Sequence, residues 1–323
     1  MLRGPVSVTA WCAVVLTGLL AILAAALDLA PEVASTGGAV AIGVAYVWAL
    51  AVRTGGRPVV FGLLALVIGV AVLVTDQDSL RSGAAVLITS LSAVLGVMLT
   101  KPAVTIARAA REVVGAGVVA AVGAVAAVGL HPLIALGRFE YTTLALALVL
   151  VITLVYRLGA GLHGLGRRGA VILVGGAALL ALGLAYAELL RLYGTPGFVG
   201  WVLDVAAWSE EHIGGFPRAM PSLLGVPMLL WGCHMRARRR QGWWACAFGV
   251  VGLVPVAHLL ADPRLTLVNA TLTSVYSLLA GLVIGVLVIR VDLLLGGTGG
   301  RRAAREEEAA ALRPEAGRTQ PLL

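Results

Sequence analysis

Apolar residues in this chain come in long uninterrupted blocks rather than at alternating positions. The blocks fall at roughly 8–27, 38–52, 59–75, 83–100, 113–131, 141–157, 169–190, 221–235, 243–261 and 268–290, separated by short stretches of charge, Gly and Pro. Runs near 20 residues are what a hydrocarbon layer about 30 Å thick requires of a helix. Segments apolar on all sides exclude a β-barrel, whose strands alternate apolar and polar positions over about ten residues. The pattern predicts an all-α protein: a polytopic transmembrane helix bundle of ten spans within residues 1–295, followed by a charged, solvated tail at 296–323.

Composition agrees. The 323 residues are 60% hydrophobic and only 12% charged, with a mean hydropathy of +0.99, whereas a soluble domain carries about a quarter charged residues. The net charge of +8 does not point to nucleic acid, because the cations lie in short loops and the tail rather than on one folded face.

Sorting the loops alternately separates the cations. One set holds Arg3, Arg53, Arg57, Lys101, Arg108, Arg111, Arg157, Arg167, Arg168, Arg236, Arg238, Arg239, Arg240, Arg290, Arg301, Arg302, Arg305, Arg313 and Arg318. The other holds Arg81, Arg138, Arg191, Arg218 and Arg264. The positive-inside rule assigns the richer set, and with it both termini, to the cytoplasm. Lys101 is the one lysine. That arginine bias suggests a GC-rich genome, hence a bacterial plasma membrane. The first span resembles a secretory signal loosely, through "LAAALDLA", but its apolar run is too long for an h-region and it reads as an uncleaved helix.

By this count residues 191–220 form a long exterior loop. A helical wheel from Phe198 to Ile213 puts Trp201, Val202, Val205 and Trp208 on one face and Asp204, Ala207 and Glu211 on the other, the pattern of a helix lying flat at an interface. Its polar side is acidic, where a simple lipid-binding helix carries Lys or Arg. Trp201, Asp204, Trp208 and Glu211 are therefore candidates for a lid, an exterior gate or a docking helix.

Within the spans, ionisable residues stay near the ends. Glu188 is one turn from Arg191, His258 lies near the outer face and His234 near the inner, which argues against a proton pump with a buried acidic relay. The tenth span is the most polar: Asn269, Thr273 and Tyr276 share one side, with Thr266 and Ser277 alongside. Such a stripe either hydrogen-bonds neighbouring helices or lines a wet path. In the fifth span Ala116, Ala120 and Ala124 recur every four residues, predicting close helix packing. Splitting ten spans into five plus five pairs the third with the eighth, both starting at proline, Pro58 and Pro221, with Pro227 interrupting the latter. Interrupted segments in matching positions point to a transport site in inverted-repeat transporters.

Other chemistry is sparse. Cys12, Cys233 and Cys246 sit in apolar segments and form no C-x-x-C pair. "GAGLHG" at 159–164 matches G-x-G-x-x-G but follows a membrane helix rather than a strand. Glu210, Glu211 and His212 are adjacent on a helix and diverge, so with His131 or His258 they make a poor metal site. No cofactor motif and no hydrolase constellation is present. Three functions remain: a transporter or permease for a small solute or amphiphile, with Asn269, Thr273, Tyr276 and Pro227 beside the path; a non-catalytic membrane partner of an envelope protein; and an enzyme of lipid-linked substrates using exterior carboxylates. The lipid bilayer is the one partner common to all three.

Overall fold

A computed structural model describes residues 5–75, 77–133, 135–160, 162–194, 196–238, 241–295 and 316–322. The loop and tail cations Arg3, Arg239, Arg240, Arg301, Arg302, Arg305 and Arg313 lie outside these residues, as do the side chains of Arg167, Arg168, Glu188, Arg191, Phe198 and Val202.

The described chain is helical, without strands. In order, the helices are α1 (Pro5–Ala26), α2 (Glu32–Arg53), α3 (Pro58–Thr75), α4 (Asp78–Leu99), α5 (Ile106–Val128), α6 (Leu136–Val155), α7 (Leu162–Tyr193), α8 (Pro196–Ile213), α9 (Val226–Arg236), α10 (Gly242–Ala247), α11 (Val250–Leu253), α12 (Pro255–Ala261) and α13 (Leu267–Leu295). A π-helical turn follows α6 at Tyr156–Ala160, and another precedes α9 at Pro221–Gly225. Among the described residues nine helical segments are long and apolar enough to cross a membrane; α10–α12 count as one of them, Gly242–Ala261.

The eighth expected span is the one that falls short. Its π turn of five residues and the eleven of α9 make sixteen, about 24 Å at about 1.5 Å per residue. Ser222 Oγ donates to Ser277 O at 3.3 Å and Trp231 Nε1 to Asp292 Oδ2 at 3.1 Å, so the segment runs parallel to α13.

Two cores share α4 and α5. One joins them to α1 and α2; the other joins them to α6, α9, α10 and α11. Small residues set the α4–α5 spacing, as the alanine repeat predicts: Ala116, Ala120 and Ala124 are buried, and a Cβ on Gly96 would stand 2.9 Å from Ala116 O. Aromatic polar groups find carbonyls. Trp11 donates to Ala45 O at 2.8 Å and Tyr46 to Val119 O at 3.0 Å, as groups buried away from water must. The third span, α3, is peripheral. It packs on α2 and the edge of α4 and leaves Val59, Phe61, Leu64, Val67 and Val74 exposed, so it does not occupy a place equivalent to the buried segment 221–236.

One end of the bundle gathers the cations. Arg53, 1% exposed, donates through Nε to Met98 O at 2.9 Å. Arg236 donates to Thr100 Oγ1 at 2.8 Å and Thr100 O at 3.1 Å and lies over the Trp243 ring, 3.5 Å from its centroid. Both guanidinium groups thus meet the carbonyls left without partners at the C-terminus of α4, where the helix dipole favours positive charge. Residues 316–322, expected to be part of a solvated tail, lie against this same end. Arg318 pairs with Glu112 at 2.6 Å, and Leu322 packs on the second core.

Candidate functional site

The most irregular part of the bundle is where two interrupted segments cross. Between Gly242 and Ala261 the sequence "AFGVVGLVP" breaks the helix. Proline 255 has no N–H and excludes the carbonyl four residues back. The chain answers with short i→i−3 bonds, Gly249 N to Cys246 O at 2.8 Å and Gly252 N to Gly249 O at 2.9 Å. The other segment, 221–236, opens with the π turn. Gly225 and Gly252 meet at the crossing: a Cβ on Gly225 would strike Gly252 N and Cα and stand 2.7 Å from the carbonyl carbon of Val251. Glycine at both positions lets the two backbones touch.

Beside this crossing lies a cavity of about 240 Å³. Its walls are Val114, Gly117, Val118 and Ala121 of α5, Pro255, Val256, Leu259 and Leu260 of α12, and Thr271, Ser274, Val275 and Leu278 of α13; Pro221, Val226, Ser277 and Leu253 close its back. Val114, Val118 and Val275 are 42%, 58% and 41% exposed, so the cavity is a groove open sideways, across the helices rather than along them. No charged side chain lines it among the described residues. The hydroxyls of Thr271, Ser274 and Ser277 each donate to a carbonyl of their own helix, Leu267, Ala270 and Thr273, at 2.7, 2.9 and 2.7 Å. They turn acceptor lone pairs, not donors, toward other groups.

The polar stripe read from the tenth span is placed differently. Thr273 is buried against Gly215, where a Cβ would stand 2.7 Å from Thr273 Oγ1. Tyr276 donates to Ile213 O at 2.9 Å. Asn269 is half-buried, its amide donating to Thr266 Oγ1 at 3.1 Å at the start of α13. Pro227 packs on α13, where a Cβ on Gly285 would lie 3.1 Å from its Cα. None of the four lines the groove. Thr273, Tyr276 and Pro227, with Ser277, which accepts from Arg218 N at 2.8 Å, hold the segment 213–222 and α9 to α13. The groove uses the neighbouring face, Thr271, Ser274, Val275 and Leu278, spaced i, i+3, i+4 and i+7. That spacing is visible in the sequence, but its polarity is too low to distinguish it from a lipid-facing row.

Helix α8 runs Pro196–Ile213 and is followed by Gly214, whose φ of 76° is the left-handed conformation usual after a helix. The helix packs through the side that carries Val205, Ala206 and Ser209. Ser209 is buried and donates to Gly215 O at 2.6 Å, Val205 and Ala206 are half-buried, and Trp201 and Trp208 are 63% and 56% exposed. Trp208 stacks on His212, centroids 4.8 Å apart. Asp204, Glu210 and Glu211 are exposed.

Near the same end His258 is buried, with Nε2 2.7 Å from Thr143 Oγ1, Nδ1 3.9 Å from Glu140 Oε1 and its ring edge-on to Phe139. Among the described residues no three His, Cys, Asp or Glu side chains converge as metal ligands would. Comparison with family models, with curated proteins and with solved structures gives no match.

Proposed function

We propose that the chain is a multi-pass protein of a bacterial plasma membrane with ten crossings and both termini cytosolic. Nine sufficiently long apolar segments, with residues 221–236 running parallel to α13 as a tenth, support the even count. The gathering of Arg53, Lys101, Arg236 and Arg318 around one end supports the orientation, since cytosolic loops carry the excess of cations.

Within that frame the chain is a transporter or permease for an amphiphile, and the sideways-open apolar groove between α5, α12 and α13 is the observation that carries this reading. At about 30 Å³ per water-sized group, its 240 Å³ holds on the order of eight methylenes. Taken from water, such a chain gains about 0.8 kcal/mol per methylene, roughly 6 kcal/mol. Taken from the bilayer it gains far less, because lipid is already as apolar as the wall. A ligand entering sideways is therefore held weakly and can leave again, as a carrier site requires. The only polar neighbours on offer are acceptor oxygens, which favour an uncharged headgroup bearing O–H or N–H.

Gly117 supplies the test. It lines the groove, and a Cβ there would meet nothing within 4 Å. Gly117→Leu fills the groove without moving its walls and removes a helix glycine, worth about 1 kcal/mol in favour of the fold. Cross-linking to a photoactivatable fatty alcohol drops at least tenfold while thermal stability is kept; unchanged labelling refutes the groove as the site.

Helix α8 favours a second reading, a docking role, because it presents Trp201, Leu203 and Trp208 beside three carboxylates. Aromatic anchors rimmed by charge are typical of protein interfaces. A partner lost on Trp201→Ala/Trp208→Ala, with Gly117→Leu silent, selects it.

A further inference from the structure

The segment Ala316–Leu322 carries a turn of its own. Gln320 N donates to Gly317 O at 2.9 Å and Gly317 N to Gln320 Oε1 at 3.1 Å, closing a turn across "GRTQ". The turn aims three carbonyls in one direction. The buried Arg53 Nη1 donates toward all three, at 3.3 Å from Ala316 O, 2.6 Å from Gly317 O and 2.9 Å from Gln320 O. Leu322 N then donates to Arg53 O at 2.9 Å, and Arg318 reaches Glu112 Oε1 at 2.6 Å. Glu112 uses its other oxygen to accept from Lys101 N at 3.0 Å, so the carboxylate joins the turn after α4 to α5 and to the tail at once.

One short peptide thereby bonds to two helices, α2 through Arg53 and α5 through Glu112, and Arg53 in turn holds the Met98 carbonyl of α4. The attachment is shallow: Arg318 is 42% exposed against 4% for Glu112, and Thr319 and Gln320 are exposed. Half of the ion pair is screened by water, while the other half is a buried carboxylate that needs its cation. The segment is tethered to α13 through residues 296–315, so docking is intramolecular and weak contacts suffice.

We propose that residues 316–322 are a releasable latch, and that the cation-rich end of α2, α4 and α5 is a docking site for this acceptor-rich turn. Docked, the latch ties the ends of the three helices together. Released, it frees the α4–α5 turn, residues 99–106, to move away from Arg53.

Hydrogen–deuterium exchange on the full-length chain in nanodiscs tests this. In the wild type, amides 317, 320 and 322 exchange at least tenfold more slowly than in the synthetic peptide Ala-Gly-Arg-Thr-Gln-Pro-Leu. Arg318→Glu, a change at an exposed residue that the bundle tolerates, abolishes that protection and speeds exchange across 99–106, leaving the middle of α2 unchanged. Arg318→Lys, which keeps a cation on Glu112 and leaves the Glu112–Lys101 bond in place, retains the wild-type exchange at both. Wild-type exchange at the free-peptide rate overturns docking. Release of 316–322 with 99–106 unaltered overturns the latch. Protection that falls on dilution assigns the segment to a neighbouring copy and overturns the intramolecular contact. None of these outcomes involves an amphiphile, so this test and that of the groove fail separately.

Discussion

Replacing Gly225 by alanine should destabilise the bundle, against the usual direction for a helical glycine. The backbone at Gly225 is helical, φ −61° and ψ −60°, so alanine fits the torsions and by propensity alone gains about 1 kcal/mol. Opposing this, the new methyl would meet backbone, not a pliable side chain: Gly252 N and Cα on one side and Val251 C at 2.7 Å on the other. Carbon contacts settle at about 3.5–4.0 Å, so the two segments must part by roughly 1 Å. That gap runs through Leu224, Val226, Val251 and Leu253, which are 1–5% exposed, and a gap of this size forfeits about a quarter to a half of each contact energy. Overpacking in such settings amounts to about 1–3 kcal/mol or more, and contact with unyielding backbone puts this site at the upper end, leaving a net loss of up to about 2 kcal/mol. Gly117→Ala is the matched control, since its methyl enters open space and gains about 0.5–1 kcal/mol. Thermal unfolding of both variants in one detergent, followed by tryptophan fluorescence, should place Gly225→Ala below the wild type and Gly117→Ala at or above it. A Gly225→Ala protein as stable as the control refutes the crossing.

Further outcomes follow from single contacts. Tyr276→Phe removes the bond to Ile213 O, an interaction of about 1 kcal/mol; exchange of amides at the end of α8 should rise about fivefold, with the unfolding temperature of the bundle little changed. In a cysteine-free background, Asp204→Cys should react with an impermeant maleimide on intact cells and Arg57→Cys only after permeabilisation; reaction of both from one side contradicts the assigned orientation.

Much of the architecture is legible in the chain because membrane helices leave a signal that needs no partner: twenty apolar residues in a row. Boundaries are less so. Helix α2 starts at Glu32 rather than near 38, since Ser35, Thr36 and Gly38 are small or polar yet buried, with Ser35 Oγ donating to Gly129 O at 3.0 Å. Such a residue looks like loop until its distant acceptor is known. The interruption of 242–261 is readable from Gly249, Gly252 and Pro255, whereas the meeting of Gly252 with Gly225 is a fact of packing alone.

The site was harder to find because polarity in a membrane marks hydrogen bonding between helices as readily as a path. Asn269, Thr273 and Tyr276 stand out by polarity, and the structure employs Thr273 and Tyr276 to fasten the chain around 213–222. The groove is built from Gly117, Val118, Val275 and Leu278, residues that look like any lipid-facing row. The tail was invisible for a different reason: Arg318 meets Glu112 across 206 residues of sequence, and composition alone places such a segment in water. The sequence reading used Arg53 and Arg236 only as topological markers; their role in capping α4 depends on where Met98 and Thr100 end.

The most direct measurement maps a photoactivatable fatty alcohol onto the wild-type chain in membranes, using α3 as an internal reference for bulk lipid because Val59–Val74 is broadly exposed. Labelling of peptides containing Gly117–Ala121 and Ser274–Leu278 should saturate and be competed by unlabelled alcohol, while labelling of α3 rises without limit. Groove labelling that neither saturates nor is competed, indistinguishable from α3, contradicts an amphiphile site between α5, α12 and α13.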